Sequence, residues 1–426
     1  MNLYRLFFLL LPLSLLACQP PASEAPESPA VTETESDDDS QVVIGTIDTI
    51  DSDILGEERD LWVYLPRSAQ DENNTQIYPV VYLLDGNGHF RSVTGMIYQL
   101  STVNGNRIVP EMIVVGIPNT DRMRDLTPTH TEGTTGGGTA FLDFVENEVI
   151  PHVEVNYPAS QYRTFIGHSL GGLMAIEALI TRPEVFENYI AIDPSLWWDE
   201  QSVLHRAEAA LSERDFRGKS LFVSVANTMP AGMGVTEVVA DTQDRTTHIR
   251  SILQFSRSAE ADMQSGLNFD WAYYDDDTHG SVPLISEYDG FRFLFPWYSH
   301  SMEFRRFTDP EWEDNPDEII SFINGHFVNI SDHFGYTQLP PLRWMNANAN
   351  GLRSNEKPAS ALAVAQLNLA NYPESSLTHE TLGDYFVWQE DLESARVHFQ
   401  HALDRGAEFD LEEKLNPPEE EPEEEQ

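Results

Sequence analysis

Ser169 stands at the centre of Gly167-His168-Ser169-Leu170-Gly171, a G-x-S-x-G pattern. Such a pattern builds a sharp strand-to-helix turn that exposes a serine hydroxyl, its glycines allowing strand and helix to approach closely. A serine hydroxyl is a weak nucleophile and needs a base within hydrogen-bond reach. His279, in "YYDDDTHGSVPL", is the candidate base. It follows the last strand-like segment, on a loop with Gly280 and Pro283, and fits the chain order serine, acid, histidine that accompanies this turn. The acid should then follow "SLFVSVAN", in "TMPAGMGVTEVVADTQDRTTH". Asp241 is the first choice there, with Glu237 and Asp244 as alternatives; Asp275, Asp276 and Asp277 stand too close to His279 to be preferred. The chemistry implied is acyl transfer, in which an anion develops on the attacked carbonyl oxygen. Its first amide donor should be Leu170 N–H, at the N-terminus of the helix behind the serine. A second should come from Gly86 or Asn87 in "LLDGNGHF".

Two further groups could face a substrate. Arg122 and Arg124 in "PNTDRMRDLTP" could bind an anionic or catechol-like part of it, or form salt bridges that hold their own loop. Trp197 and Trp198 could line a pocket wall or simply pack in the core. No metal or cofactor is expected: there is no H-E-x-x-H, and the 13 histidines show no ligand spacing.

The elements that must position these residues alternate. Strand-like runs are "LWVYLP", "YPVVYLLDG", "EMIVVGIPN", "RTFIGHS", "YIAIDPS", "SLFVSVAN" and "FDWAYYDDD", several of them continuously apolar, as in a sheet covered on both faces. Helical periodicity fills residues 140–155, 171–181, 202–212 and 247–261. The alternation predicts an α/β fold with a largely parallel sheet over residues 42–300. Residues 301–410 are helical instead. There Leu382, Gly383, Phe386, Ala395, Phe399 and Ala402 keep the spacing of one tetratricopeptide unit. A single unit is too little to stand alone, so this extension should pack on the sheet domain, as a plain helical hairpin or as a peptide-binding one.

Charge narrows the partners. With 70 acidic against 25 basic residues, a formal −45, the chain should repel nucleic acid and anionic membrane surfaces. The N-terminus reads as a targeting segment: Arg5, an apolar run from Leu6 to Leu16, then Leu15-Leu16-Ala17-Cys18. Cys18 is the only cysteine, and its position after residues 1–17 resembles a bacterial lipobox, which implies a lipid anchor at Cys18. Gln19 after it implies outer-membrane sorting in that class. Residues 18–41 form a Pro/Ser/Glu-rich tether, and residues 411–426 an acidic disordered tail.

Taken together, "VVYLLDGNGHF", "PNTDRMRDLTPT", "IGHSLGGLMAIEAL", "IDPSLWWD" and "DDDTHGSVPLISEYDGFRFLF" resemble the esterase family of α/β-hydrolases that includes enterobactin-type siderophore esterases and S-formylglutathione hydrolases. The resemblance covers residues 42–297. It implies an α/β-hydrolase fold and hydrolysis of a small-molecule carboxylic ester, with Ser169 as nucleophile and His279 as base. A tetratricopeptide-like C-terminal extension is common in this group. One departure stands out: many relatives carry an acidic residue after the strand matching Leu221–Asn227, where this chain has "ANTMP". A serine–histidine dyad is the alternative to a triad.

Overall fold

The computed structural model describes residues 41–70, 76–299 and 304–415. The leader, Cys18, nearly all of the tether and the end of the acidic tail lie outside the described residues.

Eight strands form one sheet: β1 (Thr46–Ser52), β2 (Glu57–Tyr64), β3 (Tyr78–Leu84), β4 (Ile113–Ile117), β5 (Ala159–His168), β6 (Asn188–Ile192), β7 (Ser220–Ala226) and β8 (Asn268–Tyr274), in the order β1-β2-β4-β3-β5-β6-β7-β8. β1/β2 and β2/β4 pair antiparallel; every other pair is parallel. β3, β4 and β6 are buried along their whole length, which is why their sequences are unbroken apolar runs. β1, unanticipated from sequence, is an edge strand: "TIDTIDS" is exposed along most of its length and carries no apolar run.

Helices flank the sheet: α1 (Gly86–Ser101), α2 (Arg122–Asp125), α3 (Gly138–Phe144), α4 (Ile150–Asn156), α5 (Leu170–Thr181), α6 (Trp198–Glu213), α7 (Val235–Ala240), α8 (Thr247–Ala261) and α9 (Val282–Leu294). A π-turn over Val145–Val149 joins α3 to α4. α5, the helix behind Ser169, is buried from Leu170 to Ile180, in keeping with its all-round apolar sequence. The helix α1 starts at Gly86 directly after the strand, so the glycines of "LLDGNGHF" open a helix and not a loop. Its Phe90, Val93, Ile97 and Leu100 form a buried helical stripe behind a glycine-rich start.

Most of the C-terminal helices share the core of the sheet domain, and only the last hairpin has a small cluster of its own. Ile319, Ile323, Phe327, Ile330 and Phe334, all on the helix Pro316–Phe334, share one buried cluster with Val81 of β3, Ile166 of β5 and Phe291 of α9. The ring of Phe334 lies 5.0 Å from that of Tyr162, and Gln76 Nε2 donates to Tyr372 Oη at 2.5 Å. The residues with tetratricopeptide spacing fall on a hairpin of the helices Ser376–Trp388 and Leu392–Asp404. Gly383 is required there by close approach: a Cβ on it would meet the Phe399 ring at 2.4 Å. The acidic tail begins later than its composition suggested, because Leu411–Leu415 forms a helical turn that seats Leu415 against Ala395 and Phe399.

Candidate active site

Three neighbouring strands each end in a residue with positive φ: Asp85 after β3 (53°), Ser169 after β5 (60°) and Asp193 after β6 (39°). For residues other than glycine this is a costly backbone, held only where the surroundings determine it, and such positions gather at functional sites. All three lie at the carboxyl edge of the parallel strands, where open α/β sheets bind ligands.

Ser169 is fixed from both sides. Its N–H donates to Ile192 O at 2.9 Å, and its carbonyl accepts from Ser195 N at 2.9 Å and Leu173 N at 3.0 Å. The turn is tight enough that a Cβ at Gly167 would lie 2.3 Å from the carbonyl carbon and oxygen of Gly171. Ser169 Oγ is 3.2 Å from Ser195 Oγ. Leu170 opens α5, and Gly86 and Asn87 open α1, so helix geometry leaves all three amides without an intrahelical acceptor.

His279 reaches this edge as expected: its ring centroid lies 4.5 Å from that of His168, the residue before the serine. Its Nδ1 meets Asp193 Oδ2 at 2.5 Å. Asp193, not Asp241, therefore stands behind this histidine. Asp241 binds Thr246 Oγ1 with Oδ2, and the amides of Thr242 and Gln243 with Oδ1, in a local turn. Glu237 accepts from Gly234 N, and Asp244 is exposed. The reason is visible at the end of β7: Asp193 leans across from β6, its Oδ1 accepting Ala226 N–H at 2.9 Å, and fills the place an acid after β7 would take. Its own amide donates to Ser224 O at 3.0 Å.

Asp193 is fully buried. Burial alone would raise its carboxyl, but hydrogen bonds from His248 and His279 outweigh that and hold it below the ordinary carboxylate range. His248, on α8, contributes Nε2 at 2.9 Å to the same Oδ2. Imidazoles thus line up along the edge, His89, His168, His279 and His248, with successive ring centroids 5.6, 4.5 and 5.2 Å apart. Burial, with His279 and His89 nearby, lowers His168 to about 4, so it is neutral at neutral pH.

Both arginines form salt bridges that hold their own loop, the alternative to substrate contact. Arg122 clamps Asp85 through Nε to Oδ1 at 2.6 Å and Nη2 to Oδ2 at 2.9 Å, and Nη2 also reaches His168 O at 3.2 Å. It thereby ties the start of α1 to the serine turn. Arg124 binds Glu57 at 2.6 Å and Asp125 at 2.7 Å, and the buried Arg59 pairs with Asp125 at 2.8 Å. Hydrogen bonding from Arg124 draws the Glu57 carboxyl down to about 2. Trp197 is 42% exposed, two residues beyond Ser195, while Trp198 is buried with Nε1 donating to Thr129 Oγ1.

Sequence reasoning missed Asp193 and His248 as site residues. Asp193 lies in "IDPSLWWD", a stretch that carried the resemblance but no assigned role. His248 sits within a helical pattern and gives no local signal.

A family model described as "Putative esterase" matches residues 52–255. The siderophore triacetylfusarinine C esterase of Aspergillus fumigatus is 36% identical over 145 residues, 31% of this chain and 49% of that protein. The ferri-bacillibactin esterase BesA of Bacillus subtilis is 33% identical over 159 residues, 32% and 54% of the two chains. This chain spans about half the length of these curated relatives. An IroE-like serine hydrolase from Shewanella oneidensis, known from its crystal structure, superposes with a TM-score of 0.63 at 30% identity, over 77% of this chain and 99% of its own.

Proposed function

Since the chain belongs to the esterase family of α/β-hydrolases, we propose that it is a serine carboxylic-ester hydrolase working through Ser169, His279 and Asp193. The observation that carries the proposal is a serine at φ 60° on its turn, whose preceding residue has its ring 4.5 Å from that of a histidine with Nδ1 2.5 Å from a buried carboxylate.

In this mechanism Asp193 holds His279 with its proton on Nδ1, leaving Nε2 free to accept the Ser169 proton. Serine Oγ attacks the ester carbonyl, and the oxyanion takes the amides of Leu170 and of Gly86 or Asn87. His279 then returns its proton to the departing alkoxide, leaving an acyl-serine. Water, deprotonated by the same histidine, releases the acid and restores the hydroxyl. Asp193 stays ionised throughout and stabilises the imidazolium that forms twice per turnover.

The substrate is a small-molecule ester. Two relatives are named for siderophore esters, so esters of iron-chelating compounds head the panel to be tried. Trp197, exposed beside the serine turn, is a wall such a substrate would meet. The reading keeps the lipid anchor at Cys18 and the outer membrane as the location; incorporation of labelled palmitate in wild type but not in Cys18→Ser tests it. The catalytic reading predicts that Ser169→Ala abolishes p-nitrophenyl acetate hydrolysis with the circular dichroism spectrum unchanged. A wild-type protein inert toward short acyl, catecholate-siderophore and feruloyl esters would overturn it.

A further inference from the structure

The mechanism needs one imidazole on Asp193, and the structure supplies two. His248 Nε2 and His279 Nδ1 approach the same Oδ2, at 2.9 and 2.5 Å, from α8 and from the loop before α9. The ligand-type atoms of the three residues all lie within 4.8 Å of one another. Asp193 is fully buried, but the side chains of His248 and His279 are 21% and 41% exposed, so the cluster opens to solvent on the histidine side. Two imidazole nitrogens and a carboxylate oxygen, with a fourth position free for water, are a donor set that suits Zn²⁺. The other oxygen of Asp193 is held by Ala226 N–H, the kind of outer contact that fixes a metal-binding carboxylate. Tetrahedral coordination at about 2.0–2.1 Å sets ligand atoms roughly 3.3 Å apart, so each histidine nitrogen need draw back from Asp193 Oδ2 by less than about 1 Å.

We propose that Asp193, His248 and His279 form a Zn²⁺ site that switches the serine chemistry off. Binding of the metal does not depend on the esterase reading, but its effect on turnover rests on that reading. The metal takes the Nδ1 lone pair of His279, so the hydrogen carried there moves through solvent to Nε2. The imidazole stays neutral, but the nitrogen facing the serine now bears a hydrogen and cannot accept another. His248 ligates through Nε2 in the same way, its hydrogen moving through solvent from Nε2 to Nδ1. No bond to substrate is made or broken.

The test is titration of the chelator-treated full chain with ZnCl₂, by calorimetry and by ester hydrolysis in parallel. The expected result is one high-affinity site, inhibition with the same midpoint, reversal by EDTA and no inhibition by Mg²⁺. Because a chain with a formal charge of −45 binds divalent ions weakly at many places, His248→Gln is the decisive comparison. Glutamine keeps a donor toward Asp193 but not the imidazole ligand. It should weaken zinc binding at least about tenfold, and inhibition, read against the variant's own metal-free rate, should weaken by the same factor. Ser169→Ala should bind zinc as wild type does. If zinc binds both proteins but wild type cleaves no ester, the site stands and the esterase reading falls. Absence of tight binding up to about 0.1 mM ZnCl₂, or equal affinity in His248→Gln with melting unchanged, overturns the site.

Discussion

Asp193→Asn removes the charge behind His279 while hardly changing shape. The asparagine oxygen can still accept Ala226 N–H, now at 2.9 Å from Oδ1, so the end of β7 stays tied to β6. What is lost is the anion facing the imidazolium that forms when Ser169 gives up its proton. The Nδ1–Oδ2 distance of 2.5 Å places the two charge centres about 4 Å apart. At an effective dielectric of about 20, that separation is worth about 4 kcal/mol. Solvent reaches part of the His279 side chain, 41% exposed, and weakens the interaction, so about 3–4 kcal/mol remains. The expected loss in kcat is therefore about 10²–10³-fold, with KM nearly unchanged because the interaction is made in the transition state. The assay is steady-state hydrolysis of p-nitrophenyl acetate by Asp193→Asn and Asp241→Asn side by side, with melting curves for both. Asp241→Asn should stay within about twofold of wild type, since its carboxylate serves only a local turn. The reasoning is refuted if Asp193→Asn keeps more than about a tenth of wild-type kcat while folded, or if Asp241→Asn falls as far.

Gly167→Ala drives a methyl into the Gly171 backbone at 2.3 Å; activity should vanish, and urea denaturation should show a loss of at least about 2 kcal/mol. A variant that melts and turns over like wild type would contradict the close approach at this turn. Arg122→Leu leaves the mostly buried Asp85 carboxylate without its clamp, for a cost of about 2–4 kcal/mol by the same measurement. Acid should weaken the fold in two stages. His168 titrates near 6.5 unfolded and about 4 folded, so the unfolded chain binds its proton first and stability declines as pH falls from about 6.5 to 4. Below that, Asp85 and Asp193, both held low in the fold, lose their contribution as they protonate. Urea midpoints across this range check the first stage, which His168→Gln should flatten.

The parts of this fold that sequence reveals are those whose local chemistry is dictated by their place. β3, β4 and β6 are covered on both faces and must be apolar throughout; the serine turn must have glycine where strand meets helix. β1 escapes because an edge strand needs no apolar run, and its Asp48 and Asp51 resemble a linker. α1 had its buried stripe in plain view, but the glycines at its start suggested a loop. Asp193 was hidden for a different reason. An acid behind a histidine is defined by where two strand ends meet in space, and β6 can serve the place next to β7 as well as β7 itself. His248 is further still from any local signal: only the packing of α8 brings it to that carboxylate.

The central claim is that Ser169 is the nucleophile, and reaction with a fluorophosphonate followed by peptide mass spectrometry tests it most directly. Covalent adduct on Ser169 is predicted, with parallel loss of esterase activity, slower labelling in Asp193→Asn and none in Ser169→Ala. An adduct on the neighbouring Ser195 instead, or a protein that hydrolyses esters while Ser169 stays unlabelled, would contradict it.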